Sequence, residues 1–128
     1  MPTTDAAAAA PWWVICLCAE WCNACRDWRA SFHDVAAAHP GWHFAWVDIE
    51  DEADAMGDYD IETFPTVLVA QGSKALFLGP VLPSGAQLAR LVGSLKHTGT
   101  DEAVSRSHVS ADGQALLARL QAGVLPKL

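Results

Sequence analysis

Two cysteines separated by two residues, Cys22-Asn23-Ala24-Cys25, stand where a short apolar run from Trp12 to Cys18 gives way to a helical pattern. In that pattern Ala24, Trp28, Phe32, Val35 and Ala36 recur on one face, while Arg26, Asp27, Arg29, His33 and Asp34 take the others. The pair therefore falls at a helix N-terminus, with Cys22 first. There the unpaired amides of the first turn and the helix dipole favour negative charge, which suits a thiol that has to attack as the thiolate. Cys22 is the natural nucleophile. Cys25, one helical turn later, can attack the sulfur of a mixed disulfide formed on Cys22 and release the partner.

The same spacing is half of many zinc sites, and Cys16 and Cys18 are the candidates for the other two thiolates. An extended strand holds those two on one face, several residues before the helix, so both do not easily converge on Cys22. They are expected to be buried and to pack like small apolar side chains, with a secondary redox or regulatory role as the alternative.

The elements that must position the pair can be read in order. Residues 1–11 contain five alanines between Pro2 and Pro11, too few for a stable isolated helix, and form a loose N-terminus. A strand from about Trp13 to Cys18 leads into a helix from about Cys22 to Ala38, stopped by His39-Pro40-Gly41. A second strand, His43 to Val47, completes a βαβ unit with parallel strands and a right-handed crossover. From Asp48 to Glu62 more than half the residues are acidic, with a short helix around Glu52 to Tyr59; this is a solvated surface or, functionally, a means of steering basic partners. Thr66–Ala70 and Ala75–Leu78 read as a hairpin through Gly72, and Ser84 with Gln87 opens a helix whose buried stripe is Leu88, Leu91, Val92 and Leu95. After a polar link from Thr98 to Ser110, Leu116, Leu117, Leu120 and Val124 make a further amphipathic helix.

Composition narrows the function. The chain has 128 residues, 52% hydrophobic, with six tryptophans, enough for one packed core. Its net charge is −7, from 15 acidic and 8 basic residues, and no cluster of Lys or Arg offers itself to nucleic acid or an anionic membrane. All four cysteines lie between positions 16 and 25, so they cannot staple distant parts of a secreted scaffold. No run approaches the roughly 20 apolar residues needed to span a bilayer. With no basic leader at the N-terminus, the expected setting is cytoplasmic.

The segment Ala19-Glu20-Trp21-Cys22-Asn23-Ala24-Cys25-Arg26 resembles the active-site segment of the thioredoxin family, where a Trp precedes the first Cys and a basic residue follows the second. Tyr59-Asp60-Ile61-Glu62-Thr63-Phe64-Pro65-Thr66 is similar to the family's Y-x-I-x-x-x-P-T segment, and Gly72 and Gly79 fall near the glycines of its closing hairpin. The resemblance runs from Trp12 to His97. It implies an α/β, three-layer thioredoxin-like fold: a central mixed sheet of about four strands flanked by helices. Residues 12–97 would form the domain, lacking the family's usual N-terminal strand and helix. Residues 98–128 lie outside the resemblance as a C-terminal extension, whose amphipathic helix is expected to cover the exposed part of the sheet, with a mobile tail or a partner-binding helix as the alternatives.

The function implied is thiol–disulfide oxidoreduction, as a reductase of protein disulfides. Cys22 and Cys25 would be catalytic, with Trp21, Phe64 and a cis Pro65 forming the substrate-binding surface. No metal and no cofactor is expected; the partners would be a disulfide-containing protein and an electron-donating reductase. The competing reading is a non-enzymatic module of the same fold that binds proteins or a thiolate-held metal. Two positions depart from the family. Cys16 stands where relatives generally carry a buried acidic residue thought to exchange protons with the resolving cysteine, and Asn23-Ala24 replaces the commoner pairs between the cysteines, where side chains tune thiolate stability.

Overall fold

The computed structural model describes residues 11–19, 21–57, 59–98, 109–123 and 125. All but Pro11 of the loose segment expected at 1–11, most of the link after Thr98 and the expected contribution of Val124 lie outside the described residues. The elements run β1 (Trp12–Cys18), α1 (Asn23–Ala38), β2 (His43–Asp48), α2 (Ala53–Met56), β3 (Thr66–Gln71), β4 (Lys74–Pro80), α3 (Gly85–Thr98) and α4 (Ala111–Gly123).

The four strands form one mixed sheet in the order β2-β1-β3-β4. β1 runs parallel to β2, pairing Trp13 with His43 through Cys18 with Asp48, and antiparallel to β3, pairing Trp12 with Gln71 through Leu17 with Thr66. β3 and β4 close through Gly72-Ser73, with Gln71 opposite Lys74. Gly72 takes φ +59° there, the positive value that a tight two-residue hairpin demands of its first central residue.

The central position of β1 explains its unbroken apolar run. Both its faces are buried, so the alternation expected of a half-exposed strand disappears from the sequence while remaining in space. Val14, Cys16 and Cys18 point to one face, where they meet Cys25, Trp28, Phe32 and Val35 of α1 and Leu88 and Val92 of α3. Trp13, Ile15 and Leu17 point to the other, where they join Leu68 and Ala70 of β3 and Leu116, Leu117 and Leu120 of α4.

The helices hold to their faces for identifiable reasons. α1 buries Cys25, Trp28, Phe32 and Val35, a stripe at successive turns. α3 is opened by Ser84, whose Oγ accepts from the Gln87 amide at 3.3 Å. α2 is shorter than the acidic segment suggests, because Gly57 at φ +59° ends it after one turn. α4 is tied to the sheet edge by Gln114, whose side chain accepts from the Ala75 amide at 2.9 Å and donates to the Ala75 carbonyl at 3.0 Å. Its close approach depends on Gly113, where a Cβ would lie 2.6 Å from Val109 Cγ1 and 3.0 Å from Leu78 Cδ2. Together with Met56 of α2, the helix thus covers the sheet face opposite α1 and α3.

Candidate active site

Cys22 is the N-cap of α1, with extended φ −82° and ψ 117°, and its side chain makes no capping bond. The turn before it is closed by the Cys22 amide donating to the Ala19 carbonyl at 3.0 Å, and the Arg26 amide donates to the Cys22 carbonyl at 3.2 Å. Ser, Thr, Asp or Asn at this position would supply a side-chain acceptor worth about 1 kcal/mol; the sequence places a thiol there instead. The thiol is free and half-buried. Beside it Trp21 stands 62% exposed, the more accessible of the two tryptophans nearest the pair, and packs edge-on against Phe64 with ring centroids 5.5 Å apart.

Phe64 and Cys22 both rest on the same apolar cluster beneath α1. The Phe64–Pro65 peptide is cis, and Pro65 is buried. Its loop is fixed on both sides: Thr66 Oγ1 donates to the Thr63 carbonyl at 2.6 Å, and the Val81 amide donates to the Pro65 carbonyl at 3.1 Å. The strand, the helix terminus and this loop therefore bring Trp21, Cys22, Phe64 and Pro65 to one end of the sheet, although they are separated by some forty positions in sequence.

Cys25 behaves differently from its neighbour in the motif. It is 1% exposed, faces the sheet, and its Sγ is bonded to Cys18 with the Cα atoms 5.9 Å apart. Cys18 is buried as expected, but it is also covalently bonded, which packing like a small apolar side chain does not describe. The reason is parity: Cys16 and Cys18 lie two apart on a strand and share the face that α1 covers, and Cys25 heads the buried stripe of α1 directly over the end of β1. That signal was present in the sequence, in the alternation of β1 combined with the helical stripe. It is hidden by the apolar character of both faces.

Cys16, fully buried, lies with its Sγ 3.3 Å from Cys18 Sγ. Since a disulfide sulfur carries no hydrogen, the Cys16 S–H is the donor. Burial pushes the Cys16 thiol up to about 12, an effect only partly offset by the neighbouring Trp28 indole N–H, which has no oxygen or nitrogen partner of its own. Cys16 is thus a protonated thiol where an acid was expected by resemblance. Beside the cysteine cluster, a cleft is lined by Ala19, Cys25, Arg26, Arg29 and Trp46 together with Asp48, Asp51 and Glu52. Arg29 lies 5.1 Å above the Trp46 ring. Among the described residues no group of three or more His, Cys, Asp or Glu is arranged to hold a metal ion.

A mixed four-stranded sheet with a cysteine pair at the head of its first helix and a cis proline at the same end defines a thioredoxin-fold protein. The thioredoxin family profile matches residues 4–90, and the chain belongs to that family. A Streptomyces coelicolor protein provisionally named thioredoxin 2 is 27% identical over 84 residues, covering 66% of this chain and 63% of that one. A thioredoxin of Mycoplasmoides gallisepticum is 32% identical over 56 residues, covering 44% and 56%. The chain thus spans less than two thirds of the length of these relatives. Among solved structures, Fasciola hepatica thioredoxin superposes with a TM-score of 0.60 at 21% identity, covering 66% of this chain and 81% of that one. α4 lies beyond the matched region. The family membership and the proximity of Cys16, Cys18 and Cys25 are consistent with redox activity.

Proposed function

We infer that this chain is a thiol–disulfide oxidoreductase that reduces protein disulfides through Cys22 and Cys25. The observation that carries the reading is Cys22 itself: a free thiol at an uncapped helix N-terminus, beside an exposed Trp21 and the cis Phe64–Pro65 loop. In the forward reaction the Cys22 thiolate attacks one sulfur of the substrate disulfide, and the other substrate sulfur leaves as a thiol after taking a proton. Cys25, in its reduced form, then attacks Cys22 Sγ, releasing the second substrate thiol and leaving a disulfide on the enzyme. Two electrons pass from the dithiol to the substrate.

Trp21, Phe64 and Pro65 form the docking surface, where an extended substrate segment can lie against the ring pair. An electron-donating dithiol reductase restores the enzyme. The acidic surface and lack of a basic patch favour protein partners over nucleic acid or membrane, and the working setting is cytoplasmic. No helix among the described residues is long and apolar enough to cross a membrane.

The test is reduction of a generic protein disulfide with dithiothreitol as donor. The wild-type chain is expected to turn over and Cys22→Ser to fall to the uncatalysed rate. Full turnover by Cys22→Ser would sink the assignment.

A further inference from the structure

The sulfur of Cys25 has two possible partners, not one. Cys18 holds it in the core, and Cys22 stands one helical turn before it at the surface. We propose that Cys18 is a third redox residue of this site, and that the disulfide formed on Cys22 and Cys25 during turnover moves inward to Cys18 and Cys25. This extends the Cys22/Cys25 reading above and rests on it.

The step is an internal exchange. Cys18 gives up its proton and its sulfur attacks Cys25 Sγ; the Cys18–Cys25 bond forms as the Cys22–Cys25 bond breaks, and the electron pair leaves on Cys22, which takes a proton from solvent. No electron enters or leaves the chain, so no further oxidant is needed. In reverse, the Cys22 thiolate attacks Cys25 and Cys18 departs. The Cys16 S–H, 3.3 Å from Cys18 Sγ, is placed to hydrogen-bond the negative charge that Cys18 carries in either direction. Cys16 is set against Cys18, and it is Cys18 that reaches Cys25.

Exposure gives the exchange its consequence. Cys18 and Cys25 are each 1% exposed, while Cys22 is free and half-buried. Once the disulfide has moved inward, an external dithiol reaches it only after the reverse exchange returns the bond to Cys22, where the dithiol attacks a Cys22–Cys25 disulfide. The oxidised chain also keeps a surface thiol. It can form a mixed disulfide through Cys22 but cannot resolve it with Cys25, so the oxidised form holds its partner covalently where the reduced form releases it.

The sequence allows a direct assay. Glu20 is the only glutamate between Cys18 and Cys22, so cleavage after glutamate separates Cys16 and Cys18 from Cys22 and Cys25. The reduced protein is oxidised with one equivalent of diamide, its free thiols are blocked with N-ethylmaleimide in acid, and the digest is analysed by mass spectrometry without reduction. The two pieces should stay joined, with the maleimide on Cys22, in the wild type and in Cys16→Ala; in Cys18→Ala they should separate, with Cys22 protected in a Cys22–Cys25 bond. Wild-type pieces that separate with a Cys22–Cys25 bond intact would overturn the proposal while leaving the oxidoreductase reading in place; failure of that reading shows instead as turnover by Cys22→Ser. The exchange has its own readout. Reduction of the core bond by dithiothreitol should slow about tenfold or more in Cys22→Ala, because the route through the surface thiol is gone. Equal rates in the two proteins would reduce the Cys18–Cys25 bond to a static cross-link and contradict the relay.

Discussion

The two faces of the sheet are built from the same strand by alternate residues, yet they do different work. Val14, Cys16 and Cys18 of β1 face α1 and α3, in a layer that holds three sulfurs and an indole N–H without an oxygen or nitrogen acceptor. Trp13, Ile15 and Leu17 face α4, in a mainly aliphatic layer that holds none of the described cysteines and whose polar contacts lie at its rim. There Gln114 pairs with both backbone groups of Ala75, Gln121 donates to the Gly72 carbonyl at 2.7 Å, and Arg119 donates to the carbonyls of Ala55 and Met56 at 2.7 and 3.0 Å. One face concentrates reactive groups where burial and helix geometry can set their chemistry. The other contributes cohesion. If that division is real, substitutions on the two faces should separate activity from stability.

The largest effect is expected at the boundary of the reactive face. Cys22→Ser should lower disulfide-reducing turnover by at least about a thousandfold, since a nucleophile is lost outright. The same change supplies the missing cap acceptor of α1, so the melting temperature should hold or rise. Calorimetry beside the turnover assay checks both, and a coupled loss of stability and activity would blur the two faces into one.

On the α4 face the expected signature is reversed. Leu117→Ala, at a fully buried position, should cost about 2–5 kcal/mol of folding stability from lost transfer energy and the cavity left behind. The folded fraction should retain its turnover. Denaturant titration and activity at low temperature give the two numbers, and unchanged stability would mean that α4 is not part of the core.

A smaller loss follows from the rim. Gln114→Ala removes two hydrogen bonds to the Ala75 backbone, each worth about 0.5–1.5 kcal/mol net. Gln114→Glu keeps an acceptor for the Ala75 amide but sets a carboxylate oxygen against the Ala75 carbonyl, so it should rescue only part of the loss.

The last test of the reactive face is by pH, where the effect is absent near neutrality and grows only in alkali. The Cys16 thiol is raised to about 12 by burial, so the folded state keeps its proton when the unfolded chain has already lost it. Below the ordinary thiol range both states are protonated and Cys16 contributes no pH dependence. Above it the unfolded state binds fewer protons than the native state, and stability must fall as pH rises, by about a factor of ten in the folding equilibrium per pH unit until the folded thiol ionises. Cys16→Ala should flatten that decline in alkaline unfolding curves. An identical slope in the variant would place Cys16 in water or beside an unseen charge.

These contrasts also mark what was readable in the sequence. The βαβ unit, the hairpin, the Ser84 cap and the amphipathic α4 follow from periodicity and capping, because those rules are local. The helix N-terminus at Cys22 follows likewise. The partner of Cys25 did not, because its motif points to Cys22, one turn away. Cys18 is reached only by combining the alternation of β1 with the stripe of α1, two patterns in different elements whose overlap is a tertiary fact. The buried thiol at Cys16 was identifiable as a departure from the family's acid, but its 3.3 Å contact with Cys18 arises only once the strand is paired and covered.

The central claim is that Cys22 makes the first attack on a disulfide substrate. Cys25→Ser removes the resolving thiol and should trap that substrate as a stable mixed disulfide. Cleavage after glutamate then tells which sulfur holds it, since Glu20 divides Cys22 from Cys16 and Cys18. The account predicts an adduct on the piece that begins at Trp21, at Cys22. An adduct on the piece containing Cys16 and Cys18, or none at all from a folded variant, would contradict it.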